Sequence, residues 1–513
     1  MKGNRWMAVA MAGVFLLTAC NSGNNTQSAS PSPNSSSGAA AAPTNAAKPV
    51  LKALLAYLQE DYNTYPVAKL LEEKTGYKVQ YEALPADAPQ DKLNLLMASG
   101  EAYDFINLPG TPIFSALYAD YASKGALTDL TDLIEQYGPN IKASISEESF
   151  GAMKVNGKIY AIPTKAIESV GAGLLIRKDW LDKVGMKLPS TADEFKAMLK
   201  AFKDQDPGGN KDKNVPFSIT GNNPFIDGVA GAFGLSNTWN EVDGKLVPRL
   251  LDPSYSSYID YMKGLFDEGL LDKEFAVNKD ATIKEKFTSG RAGVIPAYWS
   301  DIPGIADALS KNFPNAQYSI VPILTGPDGQ AGTRIIKSMN YTVVPKTSAH
   351  PKETVQYLNA KLEKNLFREM TIGVEGVHYT YEGGAYKPIL PIFNDERNRA
   401  NQFLTGIDEV NYPIYWQARV RKDERLFAAF QLLQNIPEKA KIQDWLGVAP
   451  YMPQYAKTSQ SLDTMTNDYT VKFIFGSEPI SNLPAAQTKM NQAGATAAVQ
   501  EVEKWYSSFK KPN

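Results

Sequence analysis

The run Val50 to Leu58 is almost continuously apolar, interrupted only by Lys52. A strand buried on both faces of a parallel sheet has this pattern, whereas a strand wetted on one face alternates. Pro66 then opens a helix with Val67, Leu70 and Leu71 on one face, and Gly76 closes it. In Tyr77 to Leu84 the apolar Tyr77, Val79 and Tyr81 alternate with Lys78, Gln80 and Glu82, the period of a half-buried strand. A helix at Leu93 to Ala98, a stop at Gly100 and a short strand at Asp104 to Leu108 complete a βαβαβ unit. The chain is α/β, and its first strand needs cover on both sides.

A length of 513 residues exceeds one ordinary core, which favours two or three domains or one large two-lobed domain. With 53 basic against 55 acidic residues the formal charge is -2, so no general field attracts nucleic acid, and none is expected as a partner. A single cysteine forbids an internal disulfide, and two histidines leave little for a zinc or histidine-based catalytic centre. The chain is rich instead in Tyr (26) and has 7 Trp, residues that pair an apolar face with a polar edge.

At the amino terminus, Lys2 and Arg5 precede an apolar stretch from Trp6 to Leu17, too short to span a bilayer comfortably and of signal-peptide form. It runs into Leu17-Thr18-Ala19-Cys20, which resembles the bacterial lipobox and makes Cys20 the expected lipidation site. Residues 1–19 are read as the signal peptide. Residues 20–49, the lipidated Cys and a stretch of Asn, Ser, Ala, Pro, Gly and Thr, are read as a disordered tether, having no aromatic residue to bury. The body is then held outside the cell membrane by its lipid alone, away from cytosolic nucleotides.

Further along, Thr191 and Glu194 form a Thr-x-x-Glu capping box, followed by Phe195, Met198, Leu199 and Phe202 at helical spacing. Ala292 to Pro296 and Tyr341 to Pro345 read as strands, and Pro351 to Leu362 as a helix facing Val355, Leu358 and Leu362 inward. From about Asn394 the chain is rich in helix formers with less regular apolar spacing.

Several segments, in this order, resemble lipid-anchored extracellular solute-binding proteins (family 1 type) of carbohydrate ABC importers, in particular the long members from Gram-positive bacteria. They are the lipobox, YNTYPVAKLLEEKTG (Tyr62 to Gly76), DKLNLLMASGEAYDFI (Asp91 to Ile106), GKIYAIP (Gly157 to Pro163), LLIRKDWLDKVG (Leu174 to Gly185) and GVEGVHYT (Gly373 to Thr380). The resemblance implies a two-lobed periplasmic-binding-protein-like fold with crossing segments and a ligand cleft between the lobes. It implies a non-enzymatic, monomeric receptor that captures an oligosaccharide and passes it to ABC permease subunits. On this division residues 50–165 plus about 337–388 form one lobe, and about 166–336 plus 389–513 the other. The GKIYAIP segment and the residues that follow it form the first crossing, and Arg334 to Tyr341 the second.

Sugars present apolar CH faces rimmed by hydroxyls, so their sites combine aromatic platforms with polar edges. The candidate platforms are Trp239, Tyr298, Trp299, Tyr415 and Trp416, with core packing the competing role for each ring. Trp180 and Trp505, on amphipathic helices, are assigned to the core. Asp61 follows the carboxyl end of the first strand, where open α/β sheets place ligands, although helix capping serves equally well. Glu375 and His378 enter through the GVEGVHYT resemblance, a backbone-bonded imidazole being the plainer role for His378. Asp204 to Pro216 resembles a calcium loop of some long family members; Asp206, Asn210 and Asp212 are its candidate ligands, but a glycine replaces the second ligand and the spacing is one residue short. Two alternatives remain at this level: a secreted glycoside hydrolase, which needs only two carboxylates, and a peptide-binding surface lipoprotein.

Overall fold

Burial explains why the first strand lies inside its sheet. In the computed structural model, which describes residues 47–58 and 60–509, Leu51, Ala53 and Leu55 are buried in one core and Leu54 in another. The strands of the three main sheets are, in chain order, β1 (Leu51–Leu55), β2 (Val79–Ala83), β3 (Phe105–Leu108), β4 (Ala161–Lys165), β5 (Ser169–Val170), β6 (Ala172–Arg177), β7 (Val215–Phe217), β8 (Ala292–Tyr298), β9 (Tyr318–Val321), β10 (Thr333–Ile336), β11 (Met339–Val343) and β12 (Lys441–Gln443). The first sheet has the order β2-β1-β3-β11-β4, with β1 parallel to both neighbours from Leu51↔Val79 onward and β11 antiparallel to β3 and β4. β2, at the edge, shows the alternating burial expected of it, with Tyr81 buried between the exposed Gln80 and Glu82. The second sheet has the order β9-β6-β8-β7, antiparallel except for the β8–β7 pair.

The capped helices form where their signals lie. Pro66–Thr75 carries proline in its first turn and ends at Gly76, whose φ of 68° lets its N–H reach the Glu72 carbonyl. Thr191 and Glu194 complete both hydrogen bonds of the capping box ahead of Ala192–Gln205, which buries Phe195, Met198, Leu199 and Phe202. Trp180 is fully buried, while Trp505 lies half-buried against the same core.

Separate cores form around the two larger sheets, a first lobe on β1–β3 and a second on β6–β9, and residues 389–513 contribute to both. Residues 389–513 do not stay together. Phe393, Phe403, Tyr412 and Tyr415 pack into the core of Leu51 and Phe105, so the stretch up to the helix Tyr412–Val420 completes the first lobe. The next helix, Glu424–Gln434, buries Ala429 against β6 and β8 and Leu433 against β5. The chain thus crosses between lobes a third time, and Pro453–Phe475 and Thr496–Phe509 then close the second core. Irregular apolar spacing after Asn394 reflects a segment whose buried faces answer to two cores.

A buried cation ties this returning segment down. Lys361 donates to the Phe403 carbonyl at 2.6 Å and the Thr405 hydroxyl at 2.8 Å, and burial pulls its pKa down from 10.5 to about 7. Below pH 7 the ammonium is charged in folded and unfolded chains alike and the burial penalty is present in full. Between pH 7 and 10.5 the unfolded chain binds more protons, so this group's contribution to stability rises with pH. The melting-temperature difference between wild type and Lys361→Met is therefore expected to move in favour of the wild type from pH 6 to 9.5; a constant difference in pH-resolved thermal denaturation would exclude the effect.

Candidate ligand-binding cleft

The crossing segments pair with one another in a third sheet of order β12-β10-β5, β10 being parallel to β12 and antiparallel to β5. Lys337, just past β10, lies 3.5 Å from Glu168 of the first crossing, which in turn binds Lys165 at 3.0 Å. The same ammonium sits 5.6 Å over the ring of Trp445, just past β12. Glycine is required close by, because a Cβ at Gly447 would stand 2.6 Å from the Lys337 carbonyl oxygen.

This joint forms the floor of a cavity of about 250 Å³. Thr111 and Ser115 line it from the first lobe, Arg334 and Ser338 from the floor, and Tyr455 and Asp463 from the second-lobe helix Pro453–Phe475. That helix also packs against the first-lobe helix Pro112–Ser123, so the lobes meet at one side of the cleft. A second cavity of about 130 Å³ shares Thr238, Arg334 and Asp463 with the first. A third, of about 80 Å³, shares Asn223 and Asp227 with the second and ends at Tyr298. The three make one elongated track. A roomier cavity of about 430 Å³ beside β12 takes its lining from residues 231–246, 330–332 and 441–445 and has no wall from the first lobe, so closure of the lobes does not enclose it.

Tyrosines supply the apolar surfaces of the track. Tyr341, on β11, stacks on Tyr118 with ring centroids 4.9 Å apart, and Tyr451 and Tyr455 flank the start of Pro453–Phe475. Charged groups supply the edges. Arg249 is buried, donates to the carbonyls of Leu235 and Ser236, and stacks 4.1 Å over Phe225; burial, helped by the nearby Arg334, pulls its pKa down to about 10. Nε of Arg334 is buried without a partner. Burial, with a smaller push from Asp444, raises Asp463 to about 6, while Arg249 and Arg334 draw it back down. Asp444 is raised as well, again by burial first. Such desolvated donors and acceptors gain most from a ligand that completes their hydrogen bonds.

The expected site residues separate on this geometry. Tyr298, 43% exposed, lines the far end of the track. Trp239 is buried, its indole packed T-shaped against Tyr455 at 5.4 Å, so it supports a platform rather than providing one. Trp299 of the second lobe meets Trp416 of the first at 5.6 Å and 90°, with Phe430 edge-on to both, and these rings pack on each other between the lobes. Tyr415 is buried against Tyr386 in the first lobe. Asp61 is exposed and accepts from the N–H and the amide of Asn63, a local turn. His378 is buried; its Nδ1 accepts from the Val374 N–H, which leaves Nε2 to donate to Glu396 at 3.0 Å, while Glu375 lies exposed in that turn. Neither Asp61 nor Glu375 nor His378 lines the track. Cys20 lies outside the described residues.

Two of the three candidate calcium ligands are engaged elsewhere. Both oxygens of Asp206 accept from the backbone, at Asn210 and Lys211, and the Asn210 amide donates to the Gly290 carbonyl. Among the described residues no group of three or more His, Cys, Asp or Glu side chains gathers to hold a metal. The donor set does not fit the ion.

The model of bacterial extracellular solute-binding proteins matches residues 48–361. The chain belongs to this family. It is a solute-binding protein, and binding rather than catalysis is the family's role. Lipoprotein LipO of Bacillus subtilis is 26% identical to it over 99% of both chains, and the polygalacturonan/rhamnogalacturonan-binding protein YtcQ of the same organism is 26% identical over 90% of this chain and 93% of its own. The fructooligosaccharide ABC transporter substrate-binding protein FusA of Streptococcus pneumoniae is 28% identical over 59% of this chain and 56% of its own. The solved structure of FusA with kestose superposes on the solute-binding protein with a TM-score of 0.68 at 21% identity, covering 90% of this chain and 99% of that one. A structure of the alginate-binding protein AlgQ2 without calcium gives 0.69 at 20% identity, covering 89% and 98%. The mixed α/β periplasmic-binding-protein fold is thus established, as the sequence resemblance implied.

The raised Asp463 has a consequence for stability. Its folded pKa of about 6 exceeds the ordinary 3.8, so the folded chain binds the extra proton between those values and stability falls as pH rises through them. Asp463→Asn, neutral throughout, is expected to raise the melting temperature of the solute-binding protein at pH 8 and leave it unchanged at pH 3.5. An equal effect at both values would show that the carboxylate is not desolvated.

Proposed function

We propose that this protein is a lipid-anchored extracellular receptor that captures an oligosaccharide between its lobes and delivers it to an ABC permease. The observation that carries the reading is the elongated track, in which tyrosine faces alternate with arginine and aspartate edges at the joint between two lobes. A row of connected cavities suits a short chain of sugar units better than a single one. A solute that bridges both walls favours their approach, and the permease reads that closed shape.

The named relatives support the sugar and the transporter: FusA by its fructooligosaccharide and ABC designation, YtcQ by its polysaccharide ligands. LipO, matched end to end, supports anchoring through Cys20. Among the described residues no helix is long and apolar enough to cross a membrane. We further propose that Tyr298, Tyr341, Tyr451 and Tyr455 are the platforms, that Arg249, Arg334, Asp444 and Asp463 provide the hydrogen-bonding edges, and that the receptor acts as a monomer.

Isothermal titration of a panel of plant and bacterial oligosaccharides is expected to give saturable binding to at least one, with a smaller radius of gyration in solution scattering when it is present. Tyr455→Ala is expected to lower that affinity about tenfold, the scale of one lost aromatic contact. Flat heats across the panel, with binding of acidic or apolar peptides instead, would favour a peptide-binding lipoprotein.

A further inference from the structure

Resting on the oligosaccharide reading, we infer that the cleft selects uncharged oligosaccharides and rejects uronate chains, because its own aspartates already stand where ligand carboxylates would meet the arginines. In the cavity of about 130 Å³, Arg249 and Arg334 share the walls with Asp227 and Asp463. Two cations therefore face two acids before any ligand enters. In the neighbouring 250 Å³ cavity Arg334 and Lys337 face Asp444 and Asp463, and Lys337 is already drawn to Glu168. At the far end Asp227 and Asp280 line the wall with no cation among the lining residues, Asp280 being held by Lys284 at 2.6 Å.

Nowhere along the track is there surplus positive charge. A uronate chain carries a carboxylate on every sugar, so each unit would lie beside an aspartate in a site with little water to screen it. Burial already holds the Asp463 carboxylate at a cost, and a second anion beside it adds to that cost. A neutral sugar meets no such opposition: its hydroxyls donate to the aspartates and accept from the guanidinium groups. Arg249 is fixed for this task, since two of its N–H groups are held by backbone carbonyls and its plane is held by Phe225. The aspartates thus act both as ligand acceptors and as the repulsive element that specificity requires.

The test titrates the full-length protein, in mild detergent at pH 7.5, with matched pairs that differ only at C6: galactotetraose against tetragalacturonate and mannotetraose against tetramannuronate. Kestose and xylotetraose serve as further neutral probes. The expected result is binding of at least one neutral probe with affinity at least tenfold above either uronate. Asp463→Asn is expected to weaken the neutral ligand and to narrow that ratio, whereas a merely structural loss lowers both classes together and overturns the proposal. A uronate that binds more tightly than every neutral probe also overturns the selectivity while leaving the oligosaccharide reading intact. Silence toward both classes overturns that reading, and the selectivity with it.

Discussion

The pairing of the crossing segments in one small sheet governs the rest of the molecule. β5, β10 and β12 come from points more than a hundred residues apart in the chain. Their hydrogen bonds give each crossing a fixed position relative to the others, and Lys337 adds an ionic link to Glu168 and an aromatic one to Trp445. The joint consists of three short extended segments and lies outside the packed cores of both larger sheets, whose dense interiors resist continuous deformation. The cleft inherits its floor from this sheet, and so Arg334 lines the first cavity from a strand of the joint.

The chemistry of the cleft follows from partial burial. Aspartates and arginines taken out of water lose hydration and are not fully repaid by each other, as the raised Asp463 and the lowered Arg249 show. Such a site is poor for folding and suited to recognition, since a ligand that supplies the missing hydrogen bonds gains free energy the empty protein lacks. Tyrosine serves better than histidine here: it has an apolar face, a hydroxyl edge, and no change of charge near neutral pH.

Local rules made much of the frame legible. The apolar run at Val50 to Leu58, the capping box at Thr191 and Glu194, and the proline and glycine that bracket Pro66–Thr75 act over a few residues, so their outcome does not wait on the rest of the chain. The last third resisted because Tyr412–Val420 and Glu424–Gln434 lie close in sequence yet serve different cores. The residues lining the cavities resisted for a related reason. Trp239 and Tyr415 have the composition of platforms but are buried, while Tyr451 and Tyr455, beside a helix-opening Pro453, are the rings left at the cleft; two tyrosines flanking that proline were the only local sign.

By itself the sequence determined the α/β class, the family and the scarcity of groups for histidine or thiol chemistry, because these depend on residue type, order and short-range periodicity. Only the tertiary structure decided which core each segment of the last third joins and which residues line the cavities. Those depend on which distant surfaces come together, and burial is a property of the assembled cores rather than of any segment alone.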